Sequence, residues 1–331
     1  MSLRKAAVRL GQLLLLFVIG YYLVYRNLVL NWHSLDGYEI RLRWFPFLAS
    51  LLAMSAIFVV NSQIWRRIVF SMTGIRLGHW RVAYIWFVSN LGRYLPGKLW
   101  QIAGMAVMAR TEGIPAGGAA ASGVLGIVIC MLAGAVVGLV LFPAGVAGDY
   151  AYLLSWAWVG LPVALAFLHP WLLNRLLSLI SRPGGKPQIQ RKLRFGELVI
   201  WFVLNLGVWL AYGLSFHYFI LSVIPDAGLS VSDSAGIYAV GYIIGFLAVF
   251  APGGLGVREL LFVGLLAASL GELRATVVAL ISRIWLTLAE LVPLSVMLLA
   301  GGLPGKMQAP ISEKRVEKAD EQDSGNHSDL Q

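Results

Sequence analysis

The sequence predicts an all-α polytopic membrane protein with about six full transmembrane helices and two re-entrant helical hairpins, arranged as inverted repeats. Three observations carry that expectation. Hydrophobic residues fill 59% of the 331 positions and charged residues 13%, with a mean hydropathy of +0.77, which is too apolar for soluble domains. Two hydrophobic stretches are each interrupted by an aromatic-x-Pro-Gly turn, at Tyr94-Leu95-Pro96-Gly97-Lys98-Leu99 and at Phe250-Ala251-Pro252-Gly253-Gly254-Leu255. The Lys and Arg residues fall unevenly on the loops between apolar runs.

Taken in order, the chain opens with Arg4, Lys5 and Arg9 ahead of an apolar run over 10–30. No small-residue cleavage site follows, so the run reads as a first anchor rather than a signal peptide. Runs of near-membrane length then cover 44–62, 117–142, 150–168, 196–223 and 275–301. Regions 82–109 and 236–270 each hold one Pro-Gly break. As a helix, the arm from Val82 to Leu95 is ~21 Å long, short of the ~30 Å hydrocarbon core, hence a hairpin rather than a pair of crossings. A broken helix at that depth is tolerated only against protein or a wet cavity. Pro/Gly-interrupted segments in matching positions of two halves point to a transporter's binding site. Residues 303–331 are polar and mixed in charge, the composition of a disordered cytoplasmic tail, which leaves 1–302 as the integral membrane domain.

The basic residues set the topology. If each hairpin enters and leaves on one side, then the N-terminus, 63–81, 110–116, 169–195 and the tail share a side. They carry 3, 4, 1, 6 and 4 Lys/Arg, 18 of the 26. The opposite side holds Arg26, Arg41, Arg43 and Arg274. The bias puts both termini in the cytoplasm. It also makes repeat A, 44–142, and repeat B, 196–301, the same three-element unit inserted in opposite senses, with 156 residues between Pro96 and Pro252.

Charges at membrane depth are functional candidates. Arg93 and Lys98 flank the first break, Arg258 and Glu259 follow the second, and Arg283 and Glu290 share a face of the last span. Their plainer use is mutual pairing, for example Arg283 with Glu290 or Glu259. Four bases against two acids leave positive charge for an anionic ligand. A helix restarting at Pro96-Gly97 or at Pro252-Gly253, followed by Gly254 and Gly256, adds free backbone N–H groups and the positive end of a helix dipole.

Other classes find little support. The net charge of +10 sits on short loops, where it meets anionic headgroups rather than nucleic acid. The glycines after Pro252 have no preceding strand and no Walker Lys-Ser/Thr, so nucleotide binding is not expected. The five histidines lack metal-ligand spacing, so no metal and no other cofactor is expected. Cys130 stands alone in an apolar run. The Gly134/Gly138 and Gly241/Gly245 pairs suggest close helix packing or a homodimer face, and Trp32, Trp44, Trp80 and Trp171 suggest interfacial anchors.

The run Pro252-Gly253-Gly254-Leu255-Gly256-Val257-Arg258-Glu259 resembles the signature of the flippase-like transmembrane domain found in lysylphosphatidylglycerol synthetases and in free-standing bacterial and archaeal membrane proteins. Asn90 through Gly97 looks like that family's earlier Pro-Gly region, and Ser282-Arg283-Ile284 with Pro293 is similar to its late Arg-then-Pro helix. The resemblance covers about 10–300 and implies a bacterial or archaeal plasma membrane location and phospholipid movement between leaflets. The soluble aminoacyl-transferase domain of two-domain members is missing, so lysyl transfer is not implied.

The leading expectation is therefore a translocase, not an enzyme, for an anionic phospholipid, glycolipid or polyprenyl-phosphate-linked lipid. Arg93, Lys98, Arg258 and Arg283 bind the headgroup, the two Pro-Gly turns donate N–H groups, and Glu259 and Glu290 orient the arginines or exchange a proton. The alternatives are a membrane-embedded partner of an envelope lipid or polysaccharide synthase and a lipid-phosphate transferase with Glu259 as base.

Overall fold

The computed structural model describes residues 42–94, 99–143, 146, 148, 151–166, 168–180, 191–248, 251, 254 and 256–299. The anchor over 10–30, Pro96, Gly97, Lys98, Pro252, Gly253 and the tail from 303 lie outside the described residues. Those residues form ten α-helices and no strand. They are α1 Trp44–Thr73, α2 His79–Asn90, α3 Leu99–Arg110, α4 Ala116–Val140, α5 Ala151–Ala166, α6 Pro170–Ile180, α7 Phe195–Val223, α8 Val231–Leu247, α9 Val257–Leu270 and α10 Glu272–Leu299. A 3-10 turn over Leu91–Tyr94 follows α2.

Four helices, α1, α4, α7 and α10, are long and apolar enough to cross a membrane. The helices flanking the two breaks are shorter. α2 and α3 have 12 residues each, α8 has 17 and α9 has 14, or ~18, ~18, ~26 and ~21 Å. Two boundaries differ from the hydropathy reading. α1 runs on from 62 to Thr73, taking Arg66 and Arg67 into the helix. It stops at Gly74, whose positive φ of 74° lets its N–H return to the Phe70 carbonyl. The run over 150–168 forms a helix of only 16 residues, ~24 Å long, because the chain turns at Leu168 and restarts as α6 at Pro170.

α1 and α7 lie side by side and antiparallel. The Arg43 N–H meets the Ser222 carbonyl at one end (2.9 Å), Ser215 Oγ donates to the Ser50 carbonyl (2.7 Å), Asn61 Nδ2 donates to Tyr212 Oη (2.6 Å), and Ser71 Oγ donates to Glu197 at the other end. Around this pair the packing repeats itself. α1 packs on α2 as α7 packs on α8, and α3 on α4 as α9 on α10. α4 reaches α7 and α8 as α10 reaches α1 and α2. The buried faces are aromatic, with Phe216, Phe219, Tyr238, Phe262 and Trp285 in contact. Trp44, Phe45 and Leu52 point outward, as lipid-facing residues do. Trp44, Trp80 and Trp171 are more than half exposed, as interfacial anchors require.

Both glycine pairs are used inside the chain. A methyl on Gly134 would meet the Trp209 ring and one on Gly138 would meet Val240. Gly241 faces Phe262 and Gly245 faces Arg258. Their absent side chains let α4 approach α7 and α8, and let α8 approach α9.

Pro293 lies inside α10 and has no N–H for the carbonyl of Ala289, four residues back. Ser55 Oγ on α1 lies 2.9 Å from that carbonyl and 2.9 Å from the Leu51 carbonyl of its own helix, so its one proton is shared between them, the kind of repair that makes proline tolerable in a membrane helix. Ser55→Ala should lower the stability of the purified protein by about 1–3 kcal/mol, the cost of a buried unsatisfied carbonyl. Pro293→Ala restores the N–H and should remove most of that loss. Thermal unfolding in detergent of both single variants and the double variant checks the coupling, with Ser155→Ala, an exposed hydroxyl bonded only to Tyr152 of its own helix, as the neutral control.

Candidate functional site

The second break is built on glycine. After α8 the Ala251 N–H bonds the Ala248 carbonyl and the Gly254 N–H bonds the Ala251 carbonyl, each at 3.0 Å. Gly254 and Gly256 have φ of 71° and 79°, a region that L side chains avoid. A Cβ on Gly254 would lie 2.9 Å from the Gly245 carbonyl oxygen, and one on Gly245 would lie 2.9 Å from Arg258 Cβ. The turn is thus pressed backbone to backbone on α8, and α9 begins at Val257. The first break shows the same device, since a Cβ on Gly92 would lie 2.8 Å from the Trp100 backbone at the start of α3. Gln101 Nε2 donates to Asn90 Oδ1 across that hairpin (2.6 Å).

The positive end of α9 is already served. Glu259, in its first turn, accepts the Gly256 N–H at 2.7 Å, a carboxylate on the N-terminal dipole. Its other oxygen faces Arg258 Nη2 at 3.4 Å and Arg283 Nη1 at 3.6 Å. Of the two partners expected for Arg283, the structure gives it Glu259. Glu290 instead pairs with Arg93, whose Nη1 also points to Tyr242 Oη at 3.5 Å.

Three of the four expected headgroup cations therefore converge. Arg93, Arg258 and Arg283 line one cavity of about 40 Å³, with Gln101 and Tyr242 on one side and Gly254 and Thr287 on the other. That is room for about three waters. Both breaks reach it, the first through Arg93 and Gln101 and the second through Gly254 and Arg258. Three arginines against Glu259 and Glu290 leave these five groups with one net positive charge.

Arg258 is the most constrained of them. It is 4% exposed, its guanidinium lies 5.7 Å from the Phe262 ring centre, and its buried Nε–H has no hydrogen-bond partner among the described residues. A buried donor without an acceptor costs about 1–3 kcal/mol. An anion in the cavity removes that cost with a charge-assisted bond.

Gln101, Tyr242 and Thr287 escaped the sequence reading, and Gly245 figured there only as a packing position. Thr287 was within reach, because 283, 287 and 290 follow the i, i+4, i+7 stripe of one helix face. Tyr242 and Gln101 carry no charge and stand within apolar helices, so nothing in the pattern separates them from packing residues.

Residues 7–292 match the family described as the lysylphosphatidylglycerol synthase TM region, and the chain belongs to that family. A comparison with curated proteins finds no match.

Gly254→Ala should disorganise this site, since it strains the backbone and sets a methyl against the Gly245 carbonyl. Gly264→Ala, which meets nothing within 4 Å, should behave as wild type. The check is thermal stability in detergent, where we expect Gly254→Ala to lose about 2 kcal/mol or more.

Proposed function

We propose that this protein is a lipid translocase that moves an anionic phospholipid, glycolipid or polyprenyl-phosphate-linked lipid between leaflets, without chemistry on the lipid. The observation that carries the reading is Arg258, a buried cation with an unanswered N–H on the wall of a three-arginine cavity. A lipid phosphate supplies both the charge and the acceptor. The family match, to the membrane region of a lipid synthase, supports a membrane-lipid role. A lipid-phosphate transferase is the weaker reading. Glu259, its candidate base, accepts the Gly256 N–H and faces Arg258 and Arg283, charge-assisted contacts that taking up a proton would weaken. A supporting subunit of an envelope lipid or polysaccharide synthase is the reading to adopt if the isolated protein moves no lipid.

The architecture that goes with this function has about six full spans, four of them α1, α4, α7 and α10, and two re-entrant hairpins, with both termini in the cytoplasm and repeats over 44–142 and 196–301 inserted in opposite senses. The repeated packing of α1–α4 and α7–α10 supports it, as do the lengths of α2, α3 and α9, which fall short of the ~30 Å core. In this arrangement each hairpin opens to one face and the two breaks meet at the cavity. Exposing it to one side and then the other lets a headgroup pass while the acyl chains stay in lipid.

Arg258→Ala and Arg283→Ala should each abolish movement of a labelled anionic phospholipid in proteoliposomes while expression stays near normal. Lys at either position should restore only part, because a point charge does not reproduce bidentate contact with phosphate. If the alanine variants disappear from the membrane, the arginines serve the fold and not the ligand. A changed headgroup after incubation would mean a transferase.

The topology has its own check. With Cys130 replaced by Ala, a cysteine at Ser181 should react with an impermeant thiol reagent only from the cytoplasmic side. One at Gly228 should react only from outside. Labelling of both from one face would overturn the inverted arrangement.

A further inference from the structure

Beside the arginine cavity lies a second chamber, of about 100 Å³, that shares Arg93, Gln101, Tyr242 and Phe246 with it. Its walls are of another kind. Aromatic faces come from Trp65, Trp86 and Tyr212, and amides from Asn61, Asn90 and Asn205. Among the described residues Arg93 is the one charged residue lining it, and no carboxylate does. Resting on the translocase reading, we propose that this chamber holds the group beyond the phosphate, and that this group is a neutral polyhydroxylated one: the substrate is a phosphodiester lipid with a sugar or polyol head.

The amides have capacity to spare. Asn61 and Asn205 use their N–H groups on the carbonyls of Ile57 and Trp201, and Asn61 also on Tyr212 Oη. Their carbonyl oxygens make no hydrogen bond among the described residues, and neither do the hydroxyl protons of Tyr212 and Tyr242 donate one. Two acceptors and two donors suit hydroxyl groups, each of which both gives and takes a bond. The electron-rich faces of the indoles suit the slightly positive C–H face of a sugar ring. The volume is room for about seven waters, against about three in the arginine cavity. Phosphate and head therefore find separate compartments joined at Arg93.

An ammonium head fits poorly. Aromatic walls alone would welcome a cation, but here the cation would sit beside Arg93. Among the described residues no carboxylate lines the chamber, and Glu290, the partner of Arg93, lines neither cavity. A buried unpaired charge is costly. A lysylated lipid should therefore be disfavoured despite the family's name. The chamber's chemistry is met by two sources, a glycosyl polyprenyl phosphate and a phosphatidyl polyol, and the probes below separate them.

The test is binding to the full-length protein in nanodiscs, read by intrinsic tryptophan fluorescence and by thermal shift. The probes are a short-chain polyprenyl phosphoglucose, the same polyprenyl phosphate without sugar, phosphatidylglycerol, phosphatidic acid and lysyl-phosphatidylglycerol. We expect the head-bearing member of a pair, phosphoglucose over phosphate or phosphatidylglycerol over phosphatidic acid, to bind roughly tenfold tighter, and the pair that does so names the source. Lysyl-phosphatidylglycerol should bind more weakly than phosphatidylglycerol. In Asn205→Leu and Trp86→Leu the advantage of the head-bearing lipid should shrink several-fold. Equal affinity within both pairs, or tighter binding of the lysylated lipid, overturns this inference and leaves the translocase reading standing. Failure of every phosphate lipid to bind overturns both.

Discussion

The carboxylate of Glu259 is the interaction on which the site depends. It closes the N-terminus of α9 through the Gly256 N–H and faces both Arg258 and Arg283. Each task answers a constraint of the bilayer, where an open helix end or an unpaired charge has no water to turn to. One side chain thus ties the turn, the helix that leaves it and the neighbouring span into a unit. Its two oxygens serve three donors at ordinary to long distances. In the translocase reading proposed above, the net positive charge of the three arginines and two glutamates is what an anionic headgroup answers.

The same constraint explains how the helices meet. In a bilayer, apolar surface gives little drive for one helix to choose another, so packing and polar bonds between helices decide. The polar bonds here are small and placed at irregularities. Trp65 Nε1 donates to Ser122 Oγ, Trp209 Nε1 to the Cys130 carbonyl and Trp285 Nε1 to Ser50 Oγ, each joining a long helix to another. Glycines at 134, 138, 241 and 245 bring backbones within reach, so the close approaches that sequence alone also allows for a dimer are consumed within the monomer.

Much of this was legible in the sequence, and the parts that were not share a physical reason. The long helices, the interruptions between the shorter ones and the choice of Arg93, Arg258 and Arg283, which line one cavity, follow from hydropathy, Pro-Gly pairs and isolated charges, signals that are strong because a bilayer makes exceptions costly. The end of α1 was misplaced because Arg66 and Arg67 look like a loop, while a helix can run on past the hydrocarbon until Gly74 stops it. The expectation of a helix start at Pro252-Gly253 lies outside the described residues, while the positive φ of Gly254 and Gly256 just ahead of Val257, where α9 begins, carries no hydropathy signal. Pairing was only half readable. Arg283 has Glu290 two turns away on its own helix, yet Glu290 turns to Arg93, a partner 197 positions distant in sequence, and no local pattern encodes that choice.

That distant pair has a mechanical consequence. Arg258, Glu259 and Arg283 all belong to the second half of the chain, and the ion pairs among them lie within it. Arg93 comes from the first break, and its pairing with Glu290 on α10 and its contact with Tyr242 on α8 join the first hairpin to the second half across the cavity. In the translocase reading proposed above, these are among the bonds that part when the cavity opens. Parting a buried pair without replacement is strongly unfavourable, on the order of 3–5 kcal/mol. In that reading a phosphate arriving beside Arg93 replaces Glu290 as its counter-charge and so lowers that barrier from within the site. An empty cavity would then stay shut and an occupied one yield, the order of events that movement of a lipid without a leak demands.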